Sequence, residues 1–243
     1  MNVVSQSIKT LAVKIPSLRY HLNFTAKTHD GRYNIPIIAG LGVANLDPRE
    51  DHVGYVICKI LKENDGCFVD VGSNIGQTLL HFLRSGSNYE YVGFDVQAWC
   101  VAYTQKLIYV NRVKNAYVYP FGLSNQNSIV EIFANRNADA AASIDKKFRA
   151  KSFFKSSTTG FIRDGDEVIT EMKIQDIALI KIDVKGVEAD VVEGLKKTIE
   201  DRRPYIISEV LPSGHITDLA IKRHRRENIA RIDVLFSNLS RQI

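Results

Sequence analysis

The sequence predicts an α/β fold, a mostly parallel sheet with helices on both faces, and three observations support this. Apolar runs typical of buried strands alternate with amphipathic helical stretches from residue 50 onward. A glycine-rich turn, Asp70 to Gly76, follows the first of these runs, and an acidic residue, Asp95, follows the second. Strands joined by helices pair in parallel through right-handed crossovers, so both features are expected at one edge of the sheet.

Length and composition indicate an ordinary globular chain. Its 243 residues are 45% hydrophobic and 24% charged, which argues against disorder or a fibrous repeat. The three cysteines form no C-x-x-C pair, so neither a disulfide framework nor a zinc knuckle is expected, and a reducing, cytoplasmic setting is favoured. No run of about 20 apolar residues suggests a transmembrane segment.

The net charge of +5 lies largely near the carboxyl terminus, around Lys222, Arg223, Arg225 and Arg226. A solvated helix face is the favoured interpretation, and contact with nucleic acid, anionic glycan or membrane headgroups is the alternative. No RNA-binding aromatic motif accompanies these charges, so nucleic acid is not the expected partner.

Along the chain, residues 1–49 are expected to form a cap or hairpin, with extended runs at 22–24 and 33–38, and residues 50–243 the main domain. The elements expected next are a helix at 50–61, a strand at 67–69, a helix through Leu79 to Leu83, a strand at 91–94, a helix at 98–111 and a strand at 116–119.

The region 125–165 is rich in Asn, Ser, Ala and Lys and predicts a variable, mobile loop over the site, with one short strand at 129–133. Regular structure is expected to resume with 168–174, followed by a buried strand at 179–182, a helix at 188–200 and a strand at 205–208. The helix carries an apolar residue at every fourth position, which indicates one buried stripe.

The turn has the spacing D-x-G-x-x-x-G, from Asp70 through Gly72 to Gly76, with Ser73 and Asn74 between the glycines. Gly72 permits a backbone conformation that a Cβ forbids, and Gly76 permits close helix packing. Neither the dinucleotide fingerprint nor a phosphate-binding loop is present. All five residues are therefore candidates for binding another kind of nucleoside cofactor at a helix N-terminus.

Asp95 strengthens this prediction, because a carboxylate after the second strand can accept hydrogen bonds from both ribose hydroxyls. The third strand ends in Phe121, Gly122, Leu123 and Ser124, which are suited to an apolar slot with a polar edge for a nucleobase.

Candidates for catalysis follow strands four and five: Asp183, Lys185, Glu188, Glu209 and His215. Asp183 is favoured as acceptor contact or base, with a cofactor-side or purely structural role left open, and Glu209 and His215 are further candidates for the base. Glu188 is suited to capping the following helix. No cluster has metal-ligand spacing, so no metal is expected.

The sequence resembles the FkbM family of S-adenosylmethionine-dependent methyltransferases from about residue 50 to 210. The resemblance rests on FVDVGSNIGQ at 68–77, IKIDVKGVEADVVEGL at 180–195 and RPYIISEV at 203–210. It implies a Rossmann-like class I methyltransferase fold, S-adenosyl-L-methionine as cofactor and O-methylation of a hydroxyl on a sugar, glycan or polyketide-type acceptor. Asp70 would then face the amino end of the cofactor.

Three departures from the family pattern stand out. Val96 replaces the usual proline after the second-strand acid, and Lys185 replaces a glutamate. The family fold closes with an antiparallel strand pair, but only 33 residues follow Val210, with a helical pattern and a basic cluster, so that hairpin is expected to be missing. Two alternatives stay open: an RNA or DNA methyltransferase, favoured by the basic tail, and a non-catalytic cofactor-binding module, favoured by Lys185 and the short end.

Overall fold

The computed structural model describes residues 23–47, 52–134, 142–144 and 156–208. Its first elements are strand β1 (Phe24–Lys27), antiparallel to strand β2 (Asn34–Ile37), and a 3₁₀ turn at Val43–Leu46. The predicted hairpin is therefore present. Ile35 and Ile37 of this hairpin are fully buried in the same apolar cluster as the helices that cover one face of the main sheet.

The remaining elements are helices and strands, which alternate from residue 52 to residue 119 as the apolar periodicity predicts. In chain order they are α1 (His52–Glu63), β3 (Cys67–Val71), α2 (Gln77–Ser85), β4 (Tyr91–Phe94), α3 (Ala98–Val110), β5 (Ala116–Tyr119), β6 (Gly122–Ser124), β7 (Ser128–Ala134), β8 (Ser156–Asp164), α4 (Gly165–Glu171), β9 (Ile177–Ile182), α5 (Glu188–Gly194), α6 (Lys196–Arg202) and β10 (Tyr205–Ser208).

Five of these strands form a parallel sheet in the order β10-β9-β3-β4-β5. Within this sheet the chain first forms the central strand β3, then β4 and β5 on one side of it, and finally β9 and β10 on the other side. The direction of winding thus reverses beside β3. In open α/β sheets ligands bind at the carboxyl ends of the strands next to such a reversal.

Alternation along β3 sends neighbouring side chains to opposite faces of the sheet. Phe68 packs into a cluster with α1, α2 and α3, where its ring meets Tyr91 edge to face at 5.4 Å. Val69 packs into a second cluster that contains residues of α4, α5 and α6. The prediction of a mostly parallel sheet with helices on both faces is therefore confirmed.

A second, three-stranded sheet has the order β6-β8-β7, with β6 parallel and β7 antiparallel to β8. The short strand expected at 129–133 is confirmed as β7, but the loop expected over the rest of 125–165 is wrong for 156–164. That segment is the nine-residue strand β8. Its first four residues are polar and exposed, so no apolar alternation marks it, and its pairing with β7 holds it extended.

The single helix predicted at 188–200 is also wrong, because the chain forms α5 and α6 with a break at Leu195. The Asp166 carboxylate accepts hydrogen bonds from the backbone N–H groups of Lys197 and Thr198, at 2.8 Å each, and so satisfies the first turn of α6. Leu195 itself is fully buried, so the predicted apolar stripe still faces the sheet.

Several predictions fall outside the described residues. They concern the basic tail, the closing strand pair, and the candidates Glu209 and His215, all beyond residue 208. Among the residues that are described, no helix combines the length and apolar character needed to cross a membrane.

Candidate functional site

A cleft lies at the carboxyl ends of β3, β4 and β9, where the winding of the sheet reverses. The space between its lining atoms, counted to the open mouth, is about 870 Å³. The predicted site residues that line it are Gly72, Asn74, Asp95, Gly122, Leu123, Asp183 and Lys185. Because they come from the ends of four different strands, the fold brings these separate sequence motifs to one place.

The glycine turn is fastened to the next strand by its backbone. Gly72 has a φ of 83°, and a Cβ added there would overlap the carbonyl oxygen of Asp183, so only glycine fits. The N–H groups of Gly72 and Ser73 both donate to the carbonyl of Phe94, at 2.9 and 3.0 Å. These two donors are therefore used inside the protein, and they draw the turn toward the end of β4.

Asp95 is held against the same turn. Its Oδ2 accepts a hydrogen bond from the backbone N–H of Asn74 and its Oδ1 accepts one from that of Gln97, both at 2.8 Å. Asp95 is only 6% exposed. Burial raises the pKa of this carboxyl from 3.8 to about 6, although the two backbone hydrogen bonds oppose the rise.

Asp70 does not line the cleft, because its side chain lies fully buried within the sheet. One carboxylate oxygen accepts a hydrogen bond from the Tyr91 hydroxyl at 2.6 Å, and the other accepts one from the Lys181 ammonium at 3.2 Å. The geometry thus gives Asp70 protein partners on both oxygens, and its predicted contact with the cofactor stays a prediction.

Ser73, Gly76 and Phe121 also lie outside the cleft lining. Ser73 is buried with no hydrogen-bond partner for its hydroxyl among the described residues. Gly76 begins α2 with a φ of 79° and lies close to α3, since an added Cβ would come within 3.0 Å of Leu107. The ring of Phe121 packs against Phe94 and lines a separate groove on the small sheet.

At the other end of the cleft, charged side chains surround Asp183. Its Oδ1 pairs with the Lys185 ammonium at 2.6 Å, and its Oδ2 lies 3.8 Å from the Lys181 ammonium. Lys185 has a φ of 53°, within the turn that leads to α5. The Glu188 carboxylate accepts the N–H of Gly186, which lies before the start of α5, so this bond stabilises the turn and the predicted capping of the helix stays a prediction.

The small sheet and the segment 142–144 form the outer wall of the cleft, so the predicted position of region 125–165 over the site is confirmed, but the sequence does not identify which residues line it. Ser143 pairs with the backbone of Phe133, and its hydroxyl donates to the carbonyl of Lys185 at 2.7 Å. Ile162 of β8 and Ile144 add apolar surface. These residues reach the site through tertiary contacts, so no local sequence motif identifies them.

Other lining residues have a signal that sequence reasoning could use. Val96 and Gln97 directly follow Asp95, and Gln77 directly follows the glycine turn, so proximity to a recognised motif marks all three. Within the described ranges, no three His, Cys, Asp or Glu side chains gather where they could hold a metal ion.

Comparison with known proteins gives one family match. A family model described as a methyltransferase FkbM domain matches residues 70–227, well over half of the chain. The matched range contains the glycine turn, Asp95, Asp183 and Lys185. Neither a curated protein nor a solved structure gives a significant match.

Proposed function

We propose that this chain, which belongs to the FkbM methyltransferase family, uses S-adenosyl-L-methionine to methylate a hydroxyl on a sugar, glycan or polyketide-type acceptor. The observation that carries the cofactor assignment is the hydrogen bond between the Asn74 N–H and Asp95, which joins the glycine turn to the second-strand acid in one cleft. The strand order β10-β9-β3-β4-β5 is consistent with a Rossmann-like class I methyltransferase fold.

The cleft has the donors, acceptors and apolar surface that an adenosine group needs. Asp95 has both oxygens fixed by backbone N–H groups, so the remaining lone pairs have a defined direction for two ribose hydroxyls. Val96, Leu123 and Ile162 supply apolar walls for a base. We therefore assign the adenosine end of the cofactor to Asp95 and these walls.

Asp183 and Lys185 are the groups we assign to the acceptor end. S-adenosylmethionine supplies an activated methyl group, so the protein has to align an acceptor oxygen and take up the proton that the hydroxyl loses. The Asp183 carboxylate can accept a hydrogen bond from that hydroxyl, and Lys185 beside it can orient a second polar group of the acceptor. Glu209 and His215 are retained as proposed alternatives for the base.

Isothermal titration calorimetry with S-adenosylmethionine and S-adenosylhomocysteine tests the cofactor assignment. We expect saturable binding of both, weakened when Asp95 is replaced. Absence of binding by the folded full chain would overturn the assignment and leave an α/β scaffold without this cofactor.

A methyl-release assay with glycan and nucleic-acid acceptors then tests the reaction. Turnover on hydroxyl-bearing glycans supports the proposal, whereas turnover on nucleic acid contradicts the acceptor class. Cofactor binding without turnover on either class favours a non-catalytic module. The ion pair between Asp183 and Lys185 is the observation that favours this second candidate, because a carboxylate engaged by an ammonium is a weaker proton acceptor.

A further inference from the structure

Lys181 is a buried lysine on strand β9, which pairs with the central strand β3 that leads into the glycine turn. It is 9% exposed, and its backbone lies in register with Asp70 of β3. Its ammonium is 3.2 Å from Asp70 Oδ1 and 3.8 Å from Asp183 Oδ2. One buried cation therefore faces a carboxylate inside the sheet and a carboxylate that lines the cleft.

The inner carboxylate fixes the position of this cation. Asp70 is fully buried, and the Tyr91 hydroxyl donates to its other oxygen at 2.6 Å. A buried charge needs a partner of opposite sign, so Asp70 and Lys181 depend on each other. The ammonium is consequently anchored from the interior of the protein.

On the cleft side, each oxygen of Asp183 faces one ammonium. Lys185 contacts Oδ1 at 2.6 Å and Lys181 lies 3.8 Å from Oδ2. Two cations at the two oxygens favour one rotation of the carboxylate and favour its charged form. Lys181 also acts on Asp95 through space, where its charge lowers a pKa that burial raises.

We infer that Lys181 is a positioning residue, one that holds the Asp183 carboxylate ionised and oriented toward the acceptor and is itself anchored by Asp70. This inference rests on the proposed role of Asp183 at the acceptor end. The cation does not need to touch either reactant, because it acts through Asp183. The charged groups that face it include Asp70, Asp183 and Asp95, so its removal makes the charge around the cleft more negative, with Lys185 still paired to Asp183.

The test follows the protonation of Asp183 directly and needs no acceptor. The full chain is labelled with [4-¹³C]aspartate, and the Asp183 carboxyl resonance is identified by its loss in Asp183→Asn. In Lys181→Met we expect the midpoint of its titration to move to higher pH by about one unit or more, because a nearby opposite charge shifts carboxyl titration by that amount. A matched surface variant, Lys106→Met, is expected to leave the midpoint unchanged, since its ammonium lies over the Tyr109 ring.

A second variant keeps the test valid if Lys181→Met fails to fold. The double substitution Asp70→Asn with Lys181→Met removes both members of the buried pair, and the Asn carbonyl can still accept from Tyr91. A smaller upward movement is expected, because the lost charge of Asp70 partly offsets the loss of the ammonium that lies closer to Asp183. An unchanged Asp183 midpoint in either folded variant would overturn the inference.

One further measurement keeps Lys181 in place. In ¹⁵N-lysine spectra, Asp70→Asn and Asp183→Asn are each expected to shift the same protected ¹⁵Nζ resonance. If the two variants shift different resonances, the inference is contradicted. Calorimetry with S-adenosylhomocysteine on the wild-type protein distinguishes failure of the proposed function from failure of this inference. Absence of cofactor binding refutes the proposed function, whereas an Asp183 midpoint that does not change in the Lys181 variants refutes only the role of Lys181.

Discussion

Asp95 and Asp183 mark the two ends of the cleft, and the protein holds them by different means. Both follow strands of the parallel sheet directly, but Asp95 is held by two backbone N–H groups and Asp183 by the ammonium groups of two lysines. Backbone donors are present whatever the neighbouring side chains are, whereas the two ammonium groups depend on which side chains stand at positions 181 and 185. The adenosine end is therefore rigidly specified, and the acceptor end can be retuned by substitution.

The largest effect is expected at Gly72, which lies against the backbone of Asp183. Gly72→Ala places a methyl group against the carbonyl oxygen of Asp183 and demands a φ of 83° from a residue with a side chain. Because both ends of the cleft then shift, we expect S-adenosylhomocysteine affinity to fall at least ~100-fold, about 3 kcal/mol. Calorimetry measures the loss, and circular dichroism checks that the fold persists.

The control for this variant is Gly86→Ala. Gly86 has a similar φ of 71°, but an added Cβ meets nothing within 4 Å. Its substitution carries the backbone strain without the contact, so stability is expected to fall slightly and affinity to stay constant. Equal losses of affinity in the two variants would show that strain alone, and not the contact with Asp183, matters.

Asp95→Ala removes the carboxylate at the adenosine end of the cleft and leaves the acceptor end unchanged. We expect S-adenosylhomocysteine binding to weaken by about 1–3 kcal/mol, the range for lost hydrogen bonds to a charged group. Asp166→Ala is the matched control, because Asp166 also accepts two backbone N–H groups but lies outside the cleft lining. An equal loss of affinity in both variants would move the ribose contact elsewhere.

The raised pKa of Asp95 predicts that cofactor affinity depends on pH. Hydroxyl donors prefer the ionised carboxylate, so affinity is expected to fall about tenfold between pH 7 and pH 5 as Asp95 is protonated near pH 6. Calorimetry across this range should show the fall in the wild type and its absence in Asp95→Ala. In the ligand-free protein, a pKa above 3.8 stabilises the fold at low pH, and this contribution is lost as the pH rises through about 6.

The smallest effect is expected at the acceptor end of the cleft. Lys185→Met breaks a partly exposed ion pair, which contributes at most about 1 kcal/mol to the free energy of unfolding. We expect S-adenosylhomocysteine affinity to change less than about threefold, as read by calorimetry, with the stability change followed by urea denaturation. A loss as large as that of Asp95→Ala would remove the contrast between the two ends.

Much of the fold could be predicted because its signals are local. Strands β4, β5 and β10 lie at the predicted residues, and helix α3 ends within one residue of its prediction. Buried parallel strands are continuous apolar runs, and in helices the apolar residues recur with a period near 3.6 residues. Each of these elements can therefore be predicted from its own segment of sequence. Strand β8 was missed because its exposed polar residues show neither pattern.

The same distinction applies to the site. The glycine turn and Asp95 each follow an apolar run directly, and their meeting follows from the parallel order of strands β3 and β4. Ser143 and Ile162 enter the cleft through the small sheet, and Asp70 is drawn into the interior by Lys181 and Tyr91. These arrangements depend on partners distant in sequence, which one-dimensional patterns do not identify.

The sequence by itself determined the parallel α/β framework, the strained turn at Gly72 and the acid that follows the second strand, because hydrophobic periodicity and glycine's freedom act over a few residues. Tertiary structure alone decided which carboxylate faces the cleft and which is buried, what closes the outer wall, and how Lys181 lies between Asp70 and Asp183. The physical reason is that burial and ion pairing depend on three-dimensional neighbours, and these are fixed only when distant segments pack together.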